Sequence, residues 1–184
     1  MATTQHPGTV TQWRVDHAHS TVEFAVKHMM ITTVRGRFHD LDGTVRLDET
    51  APSASSVEVS IKAATIDTGV ADRDAHLRSP DFLDVERYPE ITFRSTRVDP
   101  QGKGRLRITG DLTIHGVARP VVLDATEEGR GKDPWGGERV GFSATTSIDR
   151  RDFGLVWNQT LEQGGWLVGH EIKINLDMQL VRLD

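Results

Sequence analysis

Cysteine is absent from this 184-residue chain. Disulfides, thiol catalysis and thiolate-held zinc are therefore excluded. Long hydrophobic runs are missing as well. Unbroken apolar stretches are no longer than Val121-Val122-Leu123, whereas a membrane-crossing helix needs roughly 20 residues. Met1 to Gln12 has neither a basic start nor an apolar stretch. No secretory leader is read there, and a cytoplasmic address without stable membrane insertion is expected. Basic excess is also lacking: 22 Lys and Arg stand against 27 Asp and Glu, for a formal charge of −5. The arginines are interspersed with acids, so no phosphate track forms and nucleic acid is not an expected partner. Glycine-rich phosphate loops and a Gly-x-Ser-x-Gly nucleophile elbow are absent too.

What is present has a period of two. Val22, Phe24 and Val26 alternate with polar positions, as do Val57, Val59 and Ile61. Leu106, Ile108, Leu112 and Ile114 repeat the pattern, followed by Val140, Phe142, Ala144 and Ile148 and then Ile172, Ile174, Leu176 and Met178. Apolar and polar residues alternating in this way predict antiparallel strands with one solvated face. Eight or nine strands fit between Trp13 and Val181, and several are longer than the usual five or six residues. The run Val34–Leu47 changes phase, from Val34, Gly36 and Phe38 to Leu41, Val45 and Leu47. A bulge near His39-Asp40 is expected to restore the facing. Residues 1–11 read as a frayed tail and 12–184 as one domain.

Val70 to Arg87 breaks the alternation and holds the only expected helices. Asp72 and His76 are spaced to meet on a helix, and so are Asp74 and Arg78. Ser79-Pro80-Asp81 reads as an N-cap with proline at the first helical position, which points Phe82 and Leu83 toward the strands. A second irregular stretch runs from Arg151 to Gly165. Glu128–Glu138 reads as a mobile turn.

Long strands could build a sandwich or a barrel, and alternation alone leaves both open. A closed eight-stranded sheet has room for one slender ligand. Small inward residues such as Gly36, Ala63, Gly110 and Ala144 either answer curvature or leave space. Two chemistries compete with simple binding. His17, His19, His28 and His39 could ligate a metal, but no supporting carboxylate spacing accompanies them, and no metal or other cofactor is expected. Asp72, Asp74 and His76 could provide acid-base catalysis on a lipid or small acid. Without a nucleophile, a structural or lid role is the stronger expectation, with Arg73, Asp74 and His76 in a lid or against a ligand head group.

Several motifs together resemble the YceI-like family. Trp13-x-Val15-Asp16-x-x-His19-Ser20-x-Val22-x-Phe24 is similar to its opening. Arg73-Asp74-x-His76-Leu77, Asp81-Phe82, Tyr88-Pro89 and Phe93-x-Ser95-Thr96 follow in order. Gly110-Asp111-Leu112-Thr113-Ile114-His115-Gly116-Val117, Pro120-Val121 and Arg150-x-Asp152-Phe153-Gly154 complete the series. The resemblance implies an all-β fold: an elongated eight-stranded antiparallel lipocalin-like barrel with a short helical insertion around residues 70–87. It implies a non-catalytic carrier that holds an isoprenoid lipid, either a polyprenyl chain or a quinone tail, as ligand. It also implies a homodimer. With the barrel in place, the strand phases put Val22, Phe24, Val26, Phe38, Ile61, Phe93, Leu112, Phe142, Ala144, Ile172 and Ile174 on the pore wall. Phe82, Leu83 and Trp157 join them from the irregular segments.

Overall fold

A computed structural model describes residues 10–183. Its strands are β1 (Val10–Val15), β2 (Thr21–His28), β3 (Thr32–Phe38), β4 (Leu41–Asp48), β5 (Ser56–Lys62) and β6 (Ile66–Asp67). After the single α-helix among the described residues, α1 (Ala71–Arg78), come β7 (Glu90–Gly102), β8 (Arg105–Ile114), β9 (Val117–Lys132), β10 (Glu138–Asp149) and β11 (Val168–Arg182). Every pairing is antiparallel.

β1 and β2 lie end to end along β11: Trp13 is opposite Arg182, and Phe24 is opposite Ile174. β4 and β3 line up in the same way beside them, with β5 and β6 next. These three broken spans and the five continuous strands make an eight-stranded barrel, closed where β11 meets β1 and β2. The upper end carries the β2–β3 hairpin, α1 and the segment from β10 to β11. The lower end carries the β4–β5, β7–β8 and β9–β10 connections.

The three breaks sit side by side. A 3₁₀ turn at His17–His19 follows β1, and Asp16 caps it by accepting from the Ala18 N–H at 3.1 Å. The next span bends at His39-Asp40, and both N–H groups donate to Thr65 Oγ1 at 3.2 Å. Thr65 belongs to the third break, a 3₁₀ turn at Ala63–Thr65, and its hydroxyl donates to the Lys62 carbonyl at 2.7 Å. The phase change expected as a bulge is therefore a corner that ends β3 and begins β4. Thr65 supplies the acceptor that the ladder lacks there, which keeps the exposed N–H groups satisfied.

Two other expectations are corrected. Val10 and Thr11 are not frayed: they pair with Asp48 and Leu47, and Thr11 accepts a 2.8 Å hydrogen bond from the Trp13 indole. The rest of the expected tail, residues 1–9, lies outside the described residues. Glu128–Lys132 continues β9, and the Asp133–Gly137 turn beyond it is pinned: Asp133 accepts from the Trp135 and Gly137 N–H groups at 3.0 and 2.9 Å.

The core fills the barrel rather than lying between layers. Trp13, Val140 and Leu180 are almost fully buried in the lower half, and Phe153 is 1% exposed under the upper end. Gly36 and Gly110 explain how large rings fit. A Cβ on Gly36 would collide with the Phe24 ring across the β2–β3 ladder, and one on Gly110 would collide with the Phe93 ring. The rings lie over the bare backbone, as aromatic residues do when they cover strand glycines. These glycines answer the question of space in a third way: neighbouring rings fill it.

Candidate functional site

An apolar cavity of about 270 Å³ runs along the barrel axis. Its accessible wall is apolar throughout, from Leu47, Leu106 and Phe142 below to Leu77, Phe82 and Val168 above. Val22, Phe24 and Val26 face it from β2, Phe38 from β3, Ile61 from β5 and Phe93 from β7. Leu112, Phe142, Ala144, Ile172 and Ile174 face it from β8, β10 and β11. Each stands on the inward phase of its strand, where side chains two apart share a face. Phe82 and Leu83 close the upper end and are both 7% exposed. Trp157 is displaced from the wall where the sequence reading put it. It packs outside, edge to face on His76 and tilted against Phe82, at ring-centroid distances of 4.7 and 5.3 Å.

The roof departs most from expectation. α1 ends at Arg78, and Ser79 is its C-terminal cap rather than the N-cap of another helix; Pro80–Leu83 is a turn. That turn brings Asp81 back to His76, whose Nε2 is 2.8 Å from Asp81 Oδ2, so the partner is not Asp72. Asp74 does not meet Arg78 either. Asp74 is 6% exposed and accepts from the Thr68 N–H and hydroxyl at 2.9 and 2.5 Å, while Arg78 donates to the Ala64 carbonyl at 2.9 Å. Arg73 donates to the Thr68 hydroxyl and carbonyl at 2.7 and 2.8 Å. Arg73 and Asp74 thus fasten α1 to the link that leads into it from β6, and neither lines the cavity. His76 joins α1 to the 154–166 segment through Trp157. Among the described residues no Ser, Thr or Lys side chain is bonded to its ring; its contacts with Asp81, Phe82 and Trp157 latch two roof elements together.

Arg150 is the residue that sequence reasoning missed. It continues the inward phase of Ala144, Thr146 and Ile148, and it is 3% exposed. Its four hydrogen bonds go to carbonyls: Gly169 at 2.8 Å, Leu155 at 2.7 Å, Trp157 at 2.9 Å and Val168 at 3.2 Å. Burial pushes the guanidinium below its ordinary pKa. The loop carbonyls absorb its N–H groups, and the cavity keeps an apolar wall. Its inward phase was the available signal. Outside the barrel, Arg151 hydrogen-bonds Asp149 and holds that carboxyl at about 2.

Ion pairs dominate the lower end. Arg130 reaches Glu49 at 2.5 Å and Glu127 at 2.6 Å, and Arg182 reaches Glu138 at 2.7 Å. Arg139 bridges Asp16 and Asp133 at 2.6 and 2.9 Å. Burial pushes the Asp16 carboxyl up, but hydrogen bonds from His19 and Arg139 outweigh it and leave the group below its usual range. A second hollow of about 210 Å³ lies here and shares Leu47, Ser55, Leu106 and Phe142 with the main cavity. The histidines weighed as metal ligands are apart: His19 is on Asp16 and His39 is on Asp67, each at 2.8 Å. Among the described residues, no group of three such side chains converges.

A family model described as a YceI-like domain matches residues 13–180. The chain belongs to the YceI-like family. A UPF0312 protein of Pseudomonas savastanoi is 46% identical over 137 residues, covering 74% of this chain and 71% of that protein. The solved BcnA of Burkholderia cenocepacia superposes with a TM-score of 0.78 at 26% identity, over 90% of this chain and 98% of BcnA. A YceI protein of Campylobacter jejuni is 31% identical, with a TM-score of 0.73 over 86% of this chain and 90% of its own. At 14% identity, a polyisoprenoid-binding domain from Saccharophagus degradans shares the fold, with a TM-score of 0.66 over 93% of this chain and 98% of that domain. The residues that suggested the family sit at defined places in this barrel. Trp13, Val15 and Phe153 are core, and Arg150 ties down the roof.

Proposed function

We propose that this YceI-like barrel is a non-catalytic carrier that holds one isoprenoid lipid, a polyprenyl chain or a quinone tail, along its axis. The observation that carries this reading is a cavity along the barrel whose accessible wall is apolar, Glu23 and Arg150 of its lining exposing no polar atom to it. A branched hydrocarbon chain matches such a wall, whereas a polar substrate would leave its hydrogen bonds unmade there. The fold shared with a polyisoprenoid-binding domain from Saccharophagus degradans supports the same reading. Transfer from water contributes about 0.8 kcal/mol per buried CH₂. The competing environment is a bilayer, which is apolar too. Moving a chain from bilayer to pore exchanges like for like, so the net drive is small and the carrier both loads and releases. Cavity length and branching fit, rather than polar contacts, select the chain. We further propose a homodimer formed through outward side chains such as Val122, because a closed barrel offers no free strand edge. Light scattering checks this against the 20.5 kDa of one chain.

Organic extraction of the purified protein followed by mass spectrometry tests the carrier. A stoichiometric prenylated lipid is the expected result. Protein that is repeatedly empty, and that takes up no prenyl chain when mixed with one, would rule the proposal out.

A further inference from the structure

The upper end bears apolar side chains that the fold leaves in solvent. The β2–β3 hairpin turns through Met29, Met30 and Ile31, which are 40%, 68% and 73% exposed. Met29 and Met30 have φ of 52° and 62°, and the Ile31 N–H bonds the His28 carbonyl at 3.0 Å. Two successive positive-φ positions in a tight hairpin call for Asn or Gly. Here they hold two methionines, so local strain and exposed apolar surface occur at one place. Such broken local rules concentrate at functional sites.

The hairpin is not isolated. The Met29 N–H bonds the Leu167 carbonyl at 2.8 Å, and Met30 Sδ packs so tightly on Gly165 that a Cβ there would clash. Between them Trp166 is 47% exposed, with its ring 5.7 Å from His170. The same segment sends alternate residues inward and outward. Leu155 and Val168 line the cavity, while Val156 and Trp166 face solvent. Val26 likewise lines the cavity three residues before Met29. The apolar surface therefore continues from the pore over its rim. Below the tip, Lys27 and Arg35 point outward on the hairpin strands, and neither forms an ion pair among the described residues.

We propose that this rim, centred on Met30, Ile31 and Trp166, docks on the surface of an anionic bilayer. The inference rests on the carrier reading, whose ligand is taken from and returned to such a bilayer. A convex tip with an indole beside it suits the headgroup layer, where Trp is favoured and short apolar side chains reach the acyl boundary. Lys27 and Arg35 would meet lipid phosphates. A few tip side chains fall short of the roughly 800 Å² per partner that a stable protein pair buries, which disfavours a second copy as the occupant.

The chain has no cysteine of its own, so single labels can be placed cleanly. An environment-sensitive fluorophore on Met30→Cys is compared with one on Trp135→Cys, which is exposed at the lower end. Both are mixed with phosphatidylcholine vesicles containing phosphatidylglycerol. Docking predicts a blue shift at position 30 and none at 135. In the unlabelled full chain, Met30→Ser with Ile31→Ser should weaken vesicle partition about tenfold or more, since each buried aliphatic side chain is worth at least that factor. No shift at 30, or equal shifts at both sites, would overturn the proposal. So would a shift that grows with protein concentration without vesicles, because the occupant would then be a second copy. Lipid extracted from the same preparations separates the two ideas. Loaded protein that ignores vesicles sinks docking alone, and empty protein that still shows the shift sinks the carrier alone.

Discussion

At the lower end Arg130 reaches two glutamates, and Arg139 joins Asp133 of the β9–β10 turn to Asp16 after β1. At the upper end the His76 ring meets Phe82 and Trp157 edge to face, those two pack at a tilt, and a buried arginine holds four loop carbonyls. The lower closure is built on charges that water can replace. The upper closure is built on ring contacts and one buried guanidinium, and its parts depend on one another. The difference teaches that the two ends yield to different perturbations: acid and salt act on the ion pairs below, and loss of one buried side chain acts on the roof above. Arg150 fixes the 154–169 segment, while the helix beside it is tied by Arg73 and Asp74 to Thr68, by Arg78 to the Ala64 carbonyl and by His76 to Asp81.

Arginine removal breaks the comparison most directly. Arg150→Met should cost about 3–5 kcal/mol, because several buried carbonyls lose their donors at about 1–3 kcal/mol each. Arg130→Met at the lower end should cost about 0–1 kcal/mol, as exposed ion pairs do. Urea midpoints decide, and equal losses would erase the distinction between the ends. Midway between them, Ala144→Trp should cost about 1–3 kcal/mol by overpacking and lower the bound lipid measured by extraction. A folded variant with unchanged lipid would show that residue 144 is not part of the site. His76→Ala should remove about 0.5–1.5 kcal/mol of ring contact and speed lipid exchange with vesicles. Turnover of a lipid or small acid by the native protein, lost in a folded His76→Ala variant, would turn the latch into a catalyst.

The smallest effect concerns acid. Asp149 has its folded pKa depressed to about 2 by the Arg151 hydrogen bond, below the unfolded value of about 3.9. Its contribution is therefore complete above that value and is lost as pH falls toward 2. Replacing Asp149 by Asn should flatten this acid limb by removing the stability present at neutral pH, and should leave stability near pH 2 nearly unchanged; chemical denaturation from neutral to acid pH checks it.

The strands and their facing were legible in the sequence because the physics is local: every second residue shares a face, and one face must be dry. The strand residues that this rule points inward are on the cavity wall. The rule failed where the chain stops alternating. Asp72 and His76 have the right spacing for a helical pair, but the turn after Arg78 folds Asp81 back and offers His76 another partner. Trp157 reads as a pore aromatic from its type, yet its position depends on Arg150 holding the loop carbonyls, a contact between residues with no shared period. Gly36 and Gly110 read as curvature or as space, because a glycine says nothing about the ring across the ladder. The family resemblance supplied the closure into a barrel, which alternation could not.

The seam between β11 and the β1–β2 span has a consequence for how the molecule is made. Trp13 and Val22 find their partners at Arg182 and Leu176, so the cylinder cannot shut until Val168–Arg182 has left the ribosome. Until then the nascent chain presents an open, curling sheet with an apolar inner face and two unpaired edges. Contacts this distant along the chain form slowly, and unpaired edges invite association with other chains. A chaperone, or early capture of the lipid as a template for the inner face, would be most useful in that interval.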